Sequence, residues 1–196
     1  MRLKLTKYDA LVIVDVQRDF CAGGALAVPD GDAVVQPLNN YIEVFKSANL
    51  PVIATRDWHP PNHISFRERG GLWPPHCVQG TKGAEFHPEL KLPEETLIIS
   101  KATQPDLEAY SGFEGTELES LLKDKGIKRL FVGGLATDYC VKMTVLDALR
   151  LGFTTFLLED AIRGVNVNPN DSERAIDEML SNGAIAVTLS ELGRTE

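Results

Sequence analysis

The chain has 196 residues, 43% of them hydrophobic and 24% charged, with a formal net charge of -8. That balance reads as one globular domain over 1–196 with a sizeable core, and the acidic excess argues against wrapping nucleic acid or lying on an anionic membrane. The opening apolar run spans only about six residues before Asp15, too short for a secretory signal or a membrane span, and the three cysteines cannot all pair, so the expectation is a cytoplasmic protein with reduced thiols.

Six short apolar runs follow in chain order: residues 10–14 (ALVIV), 51–55 (PVIAT), 96–100 (TLIIS), 129–134 (RLFVGG), 153–158 (FTTFLL) and 184–189 (AIAVTL). They are rich in Val, Ile, Leu, Phe and Thr and do not alternate with polar residues, which predicts strands covered on both faces. Amphipathic segments lie between several of them. Residues 32–48 place Val35, Leu38, Ile42 and Phe45 at helical spacing, and 115–125 place Leu118, Leu121 and Leu122. Residues 139–151 do so with Val141, Val145, Ala148 and Leu149, and 171–182 with Ala175, Ile176, Met179 and Leu180. The alternation predicts an α/β fold: a doubly wound, six-stranded, largely parallel sheet with helices on both faces. Two connections, 56–95 and 102–116, lack helical periodicity. The first is rich in Pro, Gly, His and aromatic residues, the composition of an ordered functional loop.

Ligands of such sheets bind beyond the carboxyl ends of the strands. Four reactive residues fall there: Asp15 after the first run, Asp57 shortly after the second, Lys101 after the third and Cys140 a short turn after the fourth. If a helix begins near Thr137 or Asp138, either can cap it, and Cys140 sits in its first turn, where free N–H groups favour a thiolate and can receive an oxyanion. Taken alone, that stretch divides evenly between a packed structural thiol and a nucleophile. Asp15 is the candidate base, and Lys101 either holds Asp15 ionised or steers the substrate. Cys21 lies in a Gly-rich loop, and Cys77 reads better as a buried thiol than as a metal ligand.

All four histidines lie between 59 and 87. Asp57 and His59 in DWHPPNH (57–63) form an Asp-x-His pair, and His76 follows in GGLWPPHC (70–77). Three such ligands leave open positions for water or substrate and suit one divalent cation, with Zn, Fe and Mn all compatible. His63 is a further ligand or an outer hydrogen-bond partner, and His87 reads as a structural loop residue. Phe20, Trp73 and Tyr110 are candidate walls for a flat aromatic substrate.

Four segments, taken in order, resemble the nicotinamidase/pyrazinamidase branch of the isochorismatase-like cysteine hydrolases: VIVDVQRDFCAGGALAVPDGD, ATRDWHPPNHISF with GGLWPPHCVQGTKGAEFHPEL, SKATQPDLEAYSGF, and GLATDYCVKMTVLDAL. The resemblance runs nearly end to end. It implies Cys140 as nucleophile, Asp15 as base and then acid, and Lys101 as the third member. It implies Asp57, His59 and His76 as ligands, with His63 a ligand in only some members, and zinc as the first choice of metal. Phe20, Trp73, Tyr110 and Leu135 become pocket walls, and Leu135–Ala136 resembles the family's cis peptide, with an oxyanion hole from the Ala136 and Cys140 N–H groups. The implied activity is hydrolysis of nicotinamide, and of pyrazinamide, in NAD salvage. The implied partner is that small molecule, with no nucleic acid and no membrane; homo-oligomerisation stays open.

Overall fold

The structure is a computed structural model and describes residues 3–193. Six strands form one sheet: β1 Asp9–Val14, β2 Val52–Asp57, β3 Leu97–Lys101, β4 Arg129–Leu135, β5 Thr154–Arg163 and β6 Ile185–Val187. Their order is β3-β2-β1-β4-β5-β6, and each neighbouring pair is parallel. The four helices are α1 Val35–Ser47, α2 Leu118–Asp124, α3 Lys142–Arg150 and α4 Asp171–Ser181. Strand order reverses between β1 and β4, and a doubly wound sheet opens its ligand crevice at that switch point.

The sheet is covered on both faces, which is why its strands read as continuous apolar runs. On one face Leu11, Ile13, Phe131 and Phe156 pack with Leu38, Ile42 and Phe45 of α1. On the other, Val12, Val14, Val132 and Leu157 pack with Leu118, Val145 and Met179 of α2, α3 and α4. Fully burying each such side chain stabilises the fold by roughly 1.5–3 kcal/mol. At the amino ends of the strands, Arg129 grips Asp9 with two hydrogen bonds of 2.6 Å and fixes the β1–β4 register.

Several boundaries shift by a residue or more: β2 runs on to include Asp57, and the last two strands differ most. β5 runs past its apolar stretch to Arg163, because pairing with β4 resumes after an irregularity, joining Gly134 to Ile162 and Leu135 to Arg163. β6 stops at Val187, because Thr188 and Glu191 form a capping box that starts a 3-10 turn. The connection between β2 and β3, residues 58–96, is coil with short 3-10 turns at Arg67–Arg69 and Lys82–Ala84. Among the described residues, no helix is long and apolar enough to cross a membrane.

Candidate active site

Three buried side chains meet at the carboxyl ends of β1, β3 and β4. Asp15 follows β1 with φ 49°, a left-handed conformation uncommon outside glycine that is often held at functional sites. Its Oδ1 accepts a hydrogen bond from the Thr55 hydroxyl at 2.7 Å. Its Oδ2 lies 2.8 Å from Lys101 Nζ, a close ion pair that is not a well-directed hydrogen bond. Lys101, the last residue of β3, also donates to Asp57 Oδ1 and lies 3.4 Å from Cys140 Sγ. Atoms of Asp15, Asp57 and Cys140 all lie within 4.8 Å of one another.

Lys101 is therefore the cation of a dry anionic cluster. Burial disfavours its charge, but Asp15 and Asp57 outweigh that and raise its pKa, so it stays an ammonium. Burial raises the Asp15 carboxyl and outweighs the pull of Lys101. Burial also pushes the Cys140 thiol well up, more than Lys101 draws it down, so the resting side chain is a neutral thiol. Asp57 goes the other way: burial opposes ionisation, but Lys101, His59 and His76 together hold it below the usual carboxylate range.

On the far side of Asp57, the imidazole Nε2 atoms of His59 and His76 lie 3.5 and 4.0 Å from Oδ2. The backbone sets this convergence: His59 N–H donates to Cys77 O at 3.0 Å, and Gln79 N–H donates to His59 O at 2.8 Å. The Nδ1 atoms of His59 and His76 face the carbonyls of Ala102 and Pro74 at 3.2 and 2.8 Å. With Nδ1 protonated to donate there, each Nε2 keeps a lone pair for a cation, the usual outer arrangement around a metal-binding histidine. Burial lowers the His76 pKa, which favours the neutral ring that a metal requires. One carboxylate and two imidazoles, all buried, fit a divalent cation.

A narrow cleft opens over these groups. Phe20, Trp73, Tyr110 and Leu135 line it, together with Asp57, His59, His76, Ala136 and Cys140. Trp73 Nε1 donates to the Tyr110 hydroxyl at 3.1 Å, and Tyr139 packs edge-on against Trp73 with centroids 5.2 Å apart. The walls are apolar and aromatic with polar groups at one end, the form of a small planar-ligand site. Leu135 and Ala136 are joined by a cis peptide bond.

The Isochorismatase domain signature spans residues 9–191. This chain belongs to the isochorismatase family. Among relatives, the Nicotinamidase of Escherichia coli (strain K12) is 43% identical, over 95% of this chain and 98% of its own length. The pyrazinamidase of Pyrococcus horikoshii in complex with zinc superposes with a TM-score of 0.89 at 56% identity, over 93% of this chain and 99% of that one. The L. infantum protein PnC1 in complex with nicotinate gives a TM-score of 0.91 at 35% identity, over 98% and 99% of the two chains.

Within this isochorismatase-family fold, Asp15, Lys101 and Cys140 come together as expected, as do Asp57, His59 and His76. Two local expectations differ, and His63, left open between ligand and outer hydrogen-bond partner, takes a defined geometry. His63 does not face the donor set with a free nitrogen: its Nδ1 lies 2.7 Å from Ser65 Oγ and its Nε2 2.9 Å from Leu107 O. Cys140 does not sit in the first turn of an α-helix but in a π-helical turn, Thr137–Val141, that precedes α3. Neither Thr137 nor Asp138 caps that turn. Asp138 instead binds a distant backbone segment.

Other functional neighbours were not apparent from spacing. Tyr139, Leu26, Val28 and Val165 line the cleft. Gln17 clasps Asp57 by its backbone, accepting from Asp57 N and donating to Asp57 O, both at 2.8 Å. Asp19 accepts from Cys77 N at 2.8 Å and from Ala25 N at 3.1 Å, tying the cation-ligand loop to the pocket loop. The DVQRDF segment carries both residues, and a polar Gln three residues past a buried strand, beside the buried Val16, is the signal that could have flagged the first.

Proposed function

We propose that this protein hydrolyses nicotinamide to nicotinate and ammonia through a thioester on Cys140, accepts pyrazinamide as well, and serves NAD salvage. The carrying observation is the Cys140–Lys101–Asp15 cluster beside the Asp57–His59–His76 donor set in one aromatic-walled cleft. The names of the relatives support this substrate, since they are a nicotinamidase, a pyrazinamidase and a protein holding nicotinate.

Asp15 takes the Cys140 proton as Sγ attacks the carboxamide carbon. Its raised pKa suits a group that must accept a proton and give it back. The oxyanion meets the backbone N–H groups of Ala136 and Cys140, where each donor of this kind is worth about 2.7–4 kcal/mol. Asp15 protonates the leaving nitrogen, the C–N bond breaks and ammonia departs, leaving the thioester. Asp15 then takes a proton from water as it attacks the thioester carbonyl; the C–S bond breaks, the sulfur recovers a proton and nicotinate leaves. Lys101 stays charged throughout and balances Asp15 and Asp57.

Asp57, His59 and His76 would hold the cation, zinc first, with iron or manganese compatible with the same donors. Bound there, it supplies a Lewis-acid anchor for the pyridine nitrogen and fixes the ring. Phe20, Trp73 and Tyr110 sandwich the ring, and Leu135 closes one wall.

The test pairs metal content with ammonia release. Purified protein should carry about one divalent ion per chain and release ammonia and nicotinate from nicotinamide in equal amounts. Metal-replete protein that releases no ammonia would overturn the reading. His59→Ala should lose more metal affinity than the roughly 10–100-fold that removing an outer hydrogen-bond partner costs. Full metal content in that variant would remove His59 from the ligand set.

A further inference from the structure

We infer that Asp138 is a positioning residue that clamps the backbone strap 164–166 onto the nucleophile turn, and that this clamp sets how large a ring the cleft admits. The inference rests on the proposed amide hydrolysis for its substrates, but not for its geometry.

Asp138 is buried two residues before Cys140 in the Thr137–Val141 turn. It forms no salt bridge among the described residues, and neither of its oxygens caps its own turn. Oδ1 accepts from Val165 N and Oδ2 from Asn166 N, each at 2.8 Å. One carboxylate thus bonds two successive N–H groups that lie 27 and 28 residues away in sequence. Hydrogen bonds of this charge-assisted kind are roughly twice as strong as neutral ones.

The strap is held at its other end too. Asn166, with φ 52°, accepts from Ser172 N in the first turn of α4 at 2.8 Å. Gly164 runs so close that a Cβ there would fall 1.8 Å from Ser172 Oγ and 3.1 Å from Asp138 Oδ1. Between these anchors Val165 lines the cleft and packs against the core behind it. Tyr139 and Cys140, flanking the clamp on the turn side, line the same cleft. Asp138 therefore joins the element that carries the nucleophile to the element that carries a wall. Releasing the strap lets Val165 recede without removing any group that touches the reacting atoms.

The test compares Asp138→Asn with Val165→Ala in the full-length, metal-replete protein. Asn keeps the shape but turns an NH2 group toward one of the two N–H donors, so one clamp bond is lost. Amide hydrogen exchange of the 164–166 segment should then quicken about tenfold with the rest of the sheet unchanged. In both variants, kcat/KM for at least one ring-methylated nicotinamide should rise relative to nicotinamide by about threefold or more. Val165→Ala leaves the clamped N–H groups in place, so it should shift selectivity without quickening strap exchange.

A merely structural role for Asp138 would speed exchange throughout and lower all kcat/KM values by one factor. That result overturns the inference, as does unchanged strap exchange in a folded Asp138→Asn. An unchanged selectivity ratio in both variants overturns the assignment of ring size to the strap. Failure of the wild-type protein to release ammonia would defeat the functional reading instead, and the exchange measurement would then decide the clamp alone.

Discussion

Cys140→Ala should lower ammonia release from nicotinamide by at least about a thousandfold and leave the fold intact, because loss of a nucleophile in a coupled catalytic cluster removes most of the rate. The side chain lost is small. Cys140 is 6% exposed and packs within the α2–α3–α4 face of the core, so trading a thiol for a methyl removes one heavy atom from that packing. Such a deletion costs about 1 kcal/mol, which a melting curve registers as a shift of a few degrees. The variant should also retain its metal, since Cys140 is not among the Asp57, His59 and His76 donors. Activity within tenfold of wild type in a folded, metal-loaded variant would end the nucleophile assignment.

The second large effect concerns stability. Lys101→Met should destabilise the protein by about 3–5 kcal/mol, the usual result of removing one partner from a buried ion pair. Among the described residues, Lys101 is the only lysine or arginine paired with Asp15 or Asp57. Without it, two carboxylates face each other in a dry site. For a domain of this size the loss corresponds to a fall in Tm of about 10 °C. Adding Asp15→Asn to Lys101→Met removes one of the stranded charges and should restore part of that stability while activity stays absent. A Lys101→Met protein that melts at the wild-type temperature would show that Lys101 is not the cation holding the cluster together. Lys101 has two tasks, holding the fold and balancing the base, and the double variant separates them.

The sheet was legible because a strand buried on both faces is a continuous run of β-branched and aromatic residues, a pattern that survives without knowledge of its neighbours. The reactive residues were legible for a related reason: a strand end is marked by the first charged residue after the run, and Asp15 and Lys101 each stand there. What was not legible depends on distant contacts. Asp138 is followed by an amphipathic segment, so local spacing suggests a helix cap, yet its partners are Val165 and Asn166, far along the chain. His63 sits near His59 in sequence and stacks on it with centroids 4.1 Å apart, but Ser65 and Leu107 engage both its nitrogens. The extension of β5 to Arg163 likewise follows from its pairing with β4, not from its own composition. Tyr139 carried no signal in the spacing; it lies in the π-helical turn and lines the cleft beside Cys140.

Rapid-quench mass spectrometry of wild-type protein mixed with nicotinamide bears most directly on the central claim. The expected result is a mass increase of one nicotinoyl group on the peptide carrying Cys140, appearing before nicotinate accumulates and absent from Cys140→Ala. Steady release of ammonia and nicotinate with no acyl group on Cys140 at any quench time, and with Cys140→Ala still active, would contradict it.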